Sequence, residues 1–255
     1  MPDAHFGVED ERAIWCAAKV VEYIKPARVV HLGDLLECGP FASWVSHKMS
    51  LAKQYDFVKH EIDPARRWID FLMKHCRLYV QHEGNHEWRV ERQAIGSGDF
   101  GRAVWDLIRP DRAILGGYDR SRVRWIPYLN TGDVIERYHL APDLITIHGW
   151  TCAENAASVI LRKASKYGWS VIYGHTHRDE RKTTRGAGDR VLIAESAGCL
   201  RTLNPTFTQA RGPTDWSQGL TLGYQSEHNR RDWTLYSVNI YKGRAILPDG
   251  TEISA

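Results

Sequence analysis

The sequence predicts an α/β domain in which short buried strands alternate with helices. Apolar runs rich in β-branched residues are typical of buried strands, and such runs occur at 28–32, 78–80, 144–147 and 171–173. Stretches with apolar residues at helical spacing separate them, at 9–25, 50–75 and 154–167. Strands and helices that alternate along a chain indicate the α/β class.

Composition limits the broad class of the protein. A chain of 255 residues is long enough for one large domain with a sizeable core, and we predict a single domain over 1–255. The formal net charge of +3 does not indicate a nucleic-acid-binding protein, although a local basic groove is compatible with it. The five cysteines are scattered without a C-x-x-C pair, which is typical of reduced thiols in a cytoplasmic protein. No apolar run approaches the roughly 18 residues of a membrane span, and no signal peptide is visible.

Proline residues mark the predicted limits of two helices. Pro26 ends the first helix, and Asp63-Pro64 begins a helix within the 50–75 stretch, with proline at its first position. The apolar side chains at helical spacing in this second helix form its predicted buried face: Trp68, Ile69, Leu72 and Met73.

The second half of the chain contains further strand and turn signals. The runs 124–128 and 134–140 predict two strands, joined by a turn at 130–133. The polar, glycine-containing stretch 179–190 predicts a hairpin or loop, followed by a strand at 191–194.

The C-terminal region divides into an irregular part and an alternating part. Residues 200–233 lack clear periodicity and predict a long ordered loop, which in a compact domain is usually functional or mobile. Residues 233–247 alternate well and predict a hairpin that turns at Lys242-Gly243.

Polar side chains follow the strand-like runs and also stand near the first residue. They are carboxylates, imidazoles and one carboxamide: Asp3, His5, Asp34, Asn85, His86, His148, His175 and His177. Side chains at the ends of buried strands converge on one edge of a sheet. Oxygen and nitrogen ligands without thiolates suit divalent ions such as Mn, Fe, Mg or Zn.

The order of these groups resembles a known family. The series D-x-H, G-D, G-N-H-E, H and G-H-x-H spans residues 3 to 177 and is similar to that of the calcineurin-like metallophosphoesterases. The alternative is core or surface histidines combined with turn-forming Gly-Asp and Gly-Asn pairs. The resemblance implies a two-sheet β-sandwich flanked by helices. Family members carry a strand before D-x-H, whereas Asp3 follows Met1-Pro2 directly, so the first strand is expected to be missing or truncated and Asp3 and His5 under-supported.

The resemblance also implies a set of metal ligands. Asp34 would bridge two divalent ions, with Mn first and Fe, Mg, Zn or Ni as alternatives. One site would be completed by three residues: Asp3, His5 and His177. The other site would be completed by three more: Asn85, His148 and His175.

The expected chemistry is hydrolysis of a phosphoester by a metal-activated hydroxide, since two cations can clamp a phosphoryl group and activate water. No Ser or Cys nucleophile has a recognisable setting. His86 is the candidate to protonate the leaving oxygen or to stabilise the transition state. Glu37 is either an orienting partner of His86 or an ordinary loop glutamate. Phosphoprotein phosphatases of the family carry Asp-Arg where this chain has Glu37-Cys38, so the arginine that holds phosphate is missing.

Two segments are candidates for substrate specificity, 88–124 and 200–233. The first mixes arginines with aromatic residues, as a groove for phosphate backbones and unstacked bases would. It is equally typical of a solvated helix face with core aromatics, because carboxylates offset much of its charge. The predicted substrate-binding residues are Arg89, Arg92 and Arg178.

Three functions remain at this stage. The first is a phosphodiesterase, most simply a nuclease acting on DNA or RNA, and the second is a phosphomonoesterase acting on a nucleotide, a small ester or a phosphoprotein. The third is a non-catalytic metal-binding scaffold. The expected partner is a phosphoester substrate and not a membrane, and the sequence does not determine the oligomeric state.

Overall fold

The computed structural model describes residues 1–42, 55–128, 130–131, 134–205 and 213–255. Within these ranges the protein is an α/β structure that combines helices with parallel, mixed and antiparallel sheets. The α/β class predicted from the alternation of strands and helices is therefore confirmed. None of the helices in the described ranges combines the length and the apolar character needed to cross a bilayer.

The first helix, α1, spans Glu11–Ile24. It begins at Asp10, whose side chain accepts hydrogen bonds from the N–H groups of Arg12 and Ala13 and so caps the helix. It ends at Lys25, which has a left-handed conformation directly before Pro26. The predicted helix and its proline stop are confirmed.

The second helix, α2, spans Asp63–His75 and continues from a π-helical turn at Val58–Ile62. Pro64 lies in its first turn, and its buried face includes all four of the predicted apolar residues. The beginning of the predicted 50–75 stretch lies outside the described residues.

The arginine-rich segment forms three consecutive helices. They are α3 at Trp88–Gly96, α4 at Gly98–Ile108 and α5 at Pro110–Leu115. Ser97 separates α3 from α4, and Gly98, the first residue of α4, has a φ of +61°, a left-handed conformation that glycine adopts without steric cost. A later helix, α6, spans Ala156–Ser165 within the predicted 154–167 stretch.

The first sheet contains three parallel strands that lie side by side in chain order. They are β1 at Arg28–His31, β2 at Leu78–His82 and β3 at Val123–Ile126. The chain start lies beside β1, because the Leu32 N–H donates to the Met1 carbonyl at 2.9 Å. Asp3 in turn forms a parallel bridge with Cys199.

The second sheet has five strands and places parallel pairs at its centre. A short hairpin of β4 at Asn130–Thr131 and β5 at Val134–Ile135 precedes it. Its strands are β6 at Tyr138–Ala141, β7 at Leu144–Ile147, β8 at Ser170–Tyr173, β9 at Asp179–Arg185 and β10 at Val191–Ala197. They lie in the order β6-β7-β8-β10-β9. The predicted single strand at 134–140 is wrong, since β5 and β6 pair with different partners.

The third sheet is antiparallel and contains β11 at Gly219–Gln225, β12 at Trp233–Tyr241, β13 at Arg244–Ile246 and β14 at Glu252–Ser254. The prediction of a loop throughout 200–233 is wrong, because β11 pairs along its whole length with β12; 206–212 lie outside the described residues. The predicted turn is confirmed, since Lys242 and Gly243 have φ values of +52° and +76°, as a tight hairpin turn requires.

Among the described residues, four hydrophobic clusters join these elements, and two of them contain most of the buried residues. The larger packs α1 and α2 against residues of β1, β2, β11, β12 and β13, with Trp68 and Tyr79 among its fully buried side chains. The second packs α6 against β7, β8 and β10 through Ile160, Leu161 and Tyr173. Both clusters fix the strands whose ends carry the candidate ligands.

Candidate metal centre

All seven predicted metal ligands lie in the described residues, and the fold brings them together. They follow β1, β2, β7 and β8, apart from two that lie on the chain start beside β1. Two groups made up of predicted ligands offer nitrogen and oxygen atoms within 4.8 Å of one another, and a third group of this kind combines His5 with Glu37 and His86. The first group is Asp3, His5, Asp34 and His177. The second group is Asp34, His148 and His175.

The chain start is firmly held. Asp3 and His5 are fully buried, and the Asp3 Oδ2 atom accepts a hydrogen bond from the His175 N–H at 2.8 Å. The His5 N–H donates to the Asp34 carbonyl at 2.9 Å, and the Leu200 N–H donates to the Asp3 carbonyl at 2.7 Å. The expectation that Asp3 and His5 are under-supported is therefore wrong, because neighbouring segments supply the contacts that a preceding strand would make.

In the first group the imidazole nitrogens face one another. His5 Nε2 lies 3.0 Å from His177 Nε2, and His177 Nε2 lies 3.2 Å from Asp3 Oδ2. Burial lowers the pKa of His177 to about 3 and that of His5 well below its ordinary value, so both rings are neutral, as metal ligands must be. Asp3 Oδ1 is buried and has no hydrogen-bond partner. A cation would satisfy this orphaned oxygen.

Asn85 lies beside the second group. His148 Nδ1 lies 2.8 Å from the Leu32 carbonyl oxygen, which only accepts, so Nδ1 carries a proton and Nε2 is the nitrogen that can face a cation. That Nε2 lies 3.0 Å from Asn85 Oδ1 and 3.5 Å from Asp34 Oδ2. One nitrogen and two oxygen atoms that converge in this way fit a bound cation.

Asp34 belongs to both groups. Its Oδ2 atom is 3.7 Å from His5 Nε2 and 3.5 Å from His148 Nε2, while its Oδ1 atom accepts from the His86 N–H at 2.9 Å. Burial opposes ionisation, but the imidazoles of His86, His148 and His175 lower the pKa of Asp34 below its ordinary value. This geometry suits a bridging carboxylate.

Three glycines allow the ligand loops to approach one another. A Cβ atom at Gly84 would lie 2.1 Å from Asp34 Oδ1, and one at Gly174 would lie 2.3 Å from Asp3 Oδ1. A Cβ atom at Gly33 would lie 2.5 Å from His148 Nδ1. The Gly-Asp, Gly-Asn and Gly-His pairs are therefore close-packing features of the site and not only turn signals.

Four ligands also have left-handed backbones, which L-amino acids adopt at an energetic cost. Their φ values lie between +50° and +73° and belong to His5, Asp34, His175 and His177. Such strain is typical of sites whose geometry the surrounding structure imposes.

Glu87 joins the two central loops, a role that the sequence did not reveal. Its carboxylate accepts hydrogen bonds from the N–H groups of Leu36 at 2.7 Å, Gly84 at 2.8 Å and Asp34 at 3.1 Å. The side chain is fully buried, and burial and the nearby charge of Asp34 raise the pKa of Glu87. Glu87 thus sets the position of Asp34 relative to the loop that carries Asn85.

His86 and Glu37 are adjacent: the Glu37 Oε2 atom lies 3.5 Å from His86 Nδ1, although the hydrogen bonds of the two groups are made to other atoms. His86 Nδ1 donates to the Glu37 backbone carbonyl at 2.7 Å, and His86 Nε2 accepts from Arg89 Nη2 at 2.9 Å. The Glu37 carboxylate accepts instead from His5 Nδ1 at 2.8 Å, which leaves His5 Nε2 facing the first group. A carboxylate of this kind fixes the orientation of a metal-binding imidazole. Burial lowers the pKa of His86.

A pocket of about 980 Å³ is lined by members of both groups, Asp34, His175 and His177, and by His86. Of the predicted substrate-binding residues, Arg89 and Arg178 line it. The Arg178 guanidinium is bonded to Glu180 Oε1 at 2.7 Å and to the Ala153 carbonyl at 2.6 Å. Arg92 is not among the described residues that line the pocket; its guanidinium lies over the Trp88 ring at 5.4 Å.

Arg201 and Trp216 are among the lining residues that the sequence did not predict. Arg201 is buried, with Nη1 3.5 Å from Glu37 Oε2, and Trp216 lies edge-to-face with His177 at a centroid distance of 4.5 Å. The only sequence signal was the position of Arg201 just after the run 191–194. Both fell within the segment interpreted as an irregular loop.

The arginines of α4 and α5 pair largely with local carboxylates. Arg102 bonds to Asp99, Arg109 to Asp111 at 2.8 Å, and the guanidinium of Arg112 lies 3.4 Å from Asp106. This arrangement matches the alternative of a solvated helix face.

Comparison with known proteins gives distant relatives without a functional name. No family model matches the chain. It is 23% identical over 230 residues to the Gene 54 protein of Mycobacterium phage L5, covering 86% of this chain and 85% of the relative. It is 24% identical over 235 residues to the Gene 54 protein of Mycobacterium phage D29, with the same shares covered.

Proposed function

We propose that this protein is a metal-dependent phosphoester hydrolase with a calcineurin-like two-sheet architecture, and that phosphodiesters are its preferred substrates. The observation that carries the proposal is the position of Asp34 Oδ2, which faces imidazole nitrogens of both groups. Two divalent cations, Mn²⁺ by preference, would supply Lewis-acid stabilisation of phosphoryl charge and a water of lowered pKa.

The residues around the groups have separate tasks in this proposal. Asp3, His5 and His177 hold one cation, and Asn85, His148 and His175 hold the other, with Asp34 shared. Asn85 adds a neutral ligand, which keeps the site attractive to an anion.

His86 is assigned the proton or charge role. Its Nε2 atom lies 3.8 Å from Asp34 Oδ2, next to the groups but outside the ligand set. Its Nδ1 atom donates to the Glu37 carbonyl and its Nε2 atom accepts from Arg89 Nη2, so Nε2 would exchange a proton with the leaving oxygen, or stabilise its charge, once the substrate displaces the Arg89 contact.

Support for a diester comes from the walls of the pocket. Cys38, which stands where related phosphatases carry arginine, is buried with no exposed surface. The pocket of about 980 Å³ extends beyond the ligand groups to Arg89, Arg178, Asp215 and Trp216, which leaves room for a substrate larger than a single phosphoryl group. DNA or RNA would be such a substrate.

A phosphomonoesterase is the second candidate, and a specific observation favours it. The arginines of α4 and α5 are paired with aspartates, which weakens the case for a long nucleic-acid groove. A nucleotide or a small ester would be held by the positive charges next to the ligand groups and would not need the arginines of α4 and α5.

The deciding experiment compares bis-p-nitrophenyl phosphate with p-nitrophenyl phosphate at increasing Mn²⁺, followed by single- and double-stranded oligonucleotides at two salt concentrations. Asp34→Asn is the negative control; it should lose turnover and both equivalents of Mn in elemental analysis, while the exposed Asp99→Asn retains them. Faster turnover of the diester supports the proposal, and faster turnover of the monoester selects the second candidate. If the protein binds two metals but hydrolyses none of these esters, the result supports a non-catalytic metal-binding scaffold.

A further inference from the structure

Arg201 is a buried cation placed at the wall of the candidate site. Its side chain is 4% exposed, and it lines the pocket. The Gln218 Nε2 atom donates to the Arg201 carbonyl at 2.9 Å, and the Arg201 backbone pairs with Glu9. The side chain therefore extends from a fixed backbone.

The surroundings orient the Arg201 guanidinium. Its Cζ atom lies 5.1 Å from the centre of the Trp216 ring, a cation–π distance, and Trp216 itself contacts the His177 ring. Nη1 lies 3.5 Å from Glu37 Oε2, the carboxylate oxygen that accepts from His5. Arg201 is thus linked to one metal-facing imidazole through Glu37 and to another through Trp216.

Arg89 approaches the same glutamate from another direction. Its Nη1 atom donates to the Glu37 backbone carbonyl at 3.1 Å, whereas Arg201 meets the Glu37 carboxylate. Both guanidinium groups therefore contact Glu37, and all three residues line the pocket. Planar guanidinium groups match the oxygens of a phosphoryl group, and buried ones bind anions more strongly than exposed ones.

We propose that Arg201 is a substrate-binding residue that holds a non-bridging oxygen of the phosphoryl group, with Trp216 fixing its plane. This inference rests on the proposed function and specifies its substrate site. The Glu37-Cys38 loop carries no arginine that could hold the anion. Arg201, which follows β10, would take over this role. The ligand class is a phosphate or phosphoester anion.

The first test measures the binding of inorganic phosphate to the Mn-loaded full-length chain by isothermal titration calorimetry. Arg201→Gln should weaken phosphate binding about ten- to hundredfold, since a charge-assisted hydrogen bond is lost, and should leave the Mn stoichiometry unchanged. Arg201→Lys, which keeps the charge but not the planar fork, should fall between Arg201→Gln and the wild type. Arg185→Gln is the matched control, because Arg185 is 82% exposed on β9. Equal phosphate affinity in the wild type and Arg201→Gln would overturn the inference.

A double variant separates binding from an internal ion pair. If Arg201 served only to neutralise Glu37, then Arg201→Gln combined with Glu37→Gln would bind phosphate as well as Glu37→Gln alone. If Arg201 holds the anion, the double variant stays about tenfold or more weaker than Glu37→Gln. This comparison remains decisive if Arg201→Gln alone folds poorly, since the double variant contains no unpaired Glu37 carboxylate.

The outcomes distinguish this inference from the proposed function. Arg201-dependent phosphate binding in a protein that hydrolyses no ester supports the anion site and rejects the hydrolase. Metal-dependent hydrolysis with KM and phosphate affinity unchanged in Arg201→Gln supports the hydrolase and rejects the anion site.

Discussion

The Asp34 Oδ2 atom has three imidazole nitrogens within 3.8 Å, those of His5, His86 and His148. Such an arrangement is costly in a protein interior unless protons or cations lie between the groups. Because burial lowers the pKa of His5 and His86, protonation of these two imidazoles is unfavourable at neutral pH. A pair of divalent ions satisfies the same atoms.

Gly84 shows how tightly one residue is constrained by this arrangement. A Cβ atom there would lie 2.1 Å from Asp34 Oδ1 and 2.2 Å from the Asp34 backbone nitrogen, so Gly84→Ala must displace the loop that carries Asp34. We expect it to lower the free energy of unfolding by about 1–3 kcal/mol or more and to abolish Mn binding. Urea unfolding and elemental analysis measure the two effects.

Gly96→Ala is the matched control, because nothing lies within 4 Å of its Cβ position at the end of α3. It should leave Mn binding intact and change the free energy of unfolding by at most about 1 kcal/mol, in the stabilising direction. A Gly84→Ala protein that binds two Mn ions like the wild type would contradict the close packing described for this loop.

At the scale of elements, each ligand loop begins where a buried strand or the chain start ends. In the strand β2 this arrangement buries a titratable side chain, His82, immediately before the loop with Asn85. His82 Nε2 lies 2.8 Å from Thr146 Oγ1 on β7, and burial lowers the pKa of His82 to about 3. The contact between β2 and β7 therefore requires a neutral imidazole.

This requirement predicts a pH effect whose sign is fixed. In the unfolded chain the His82 pKa is about 6.5, so the unfolded state binds more protons between pH 6.5 and 3, and stability is lost as the pH falls through that window. Between pH 7 and pH 5 the wild type should lose about 2 kcal/mol more unfolding free energy than His82→Gln.

Urea unfolding of both proteins in chelator tests this difference without metal-linked effects. His228→Gln, a change in an exposed loop, is the control and should track the wild type. Parallel losses in the wild type and His82→Gln would show that the buried imidazole is not the source.

At the scale of the whole molecule, the ligands come from residues 3 to 177 and join separate segments of the chain. Metal ions that bind only the folded arrangement stabilise it by mass action. At free Mn²⁺ about 100-fold above the dissociation constant, one site should add about 2.7 kcal/mol, or roughly 5–10 °C in Tm for a chain of this size.

Thermal unfolding in chelator and in millimolar Mn²⁺ measures this stabilisation. Asp34→Asn should unfold at the same temperature in both conditions, since it lacks the shared ligand. A wild-type Tm that does not respond to Mn²⁺ would remove the case for a metal centre, whatever the esterase assays show.

The sequence by itself determined the α/β class, the strands that carry the ligand loops and the identity of the candidate ligands. Asp34, Asn85, His148 and His175 each follow a short apolar run, and a local pattern of this kind survives in the fold because burying those runs is what forms the sheets. The helix end at Pro26 and the turn at Lys242-Gly243 were equally local, and they were confirmed; α2 has Pro64 in its first turn, but a π-helical turn precedes it.

Only the tertiary structure decided the relations between distant segments. The Glu37 carboxylate lies 2.8 Å from His5 Nδ1 and 3.5 Å from His86 Nδ1, and it reaches His5 because the chain start lies against the Glu37 loop, 32 residues away in sequence. Arg201 reaches the pocket through contacts with Glu9 and Gln218, and β11 exists as a strand because β12 pairs with it. Pairing partners and buried charges depend on three-dimensional proximity, which local residue patterns do not encode.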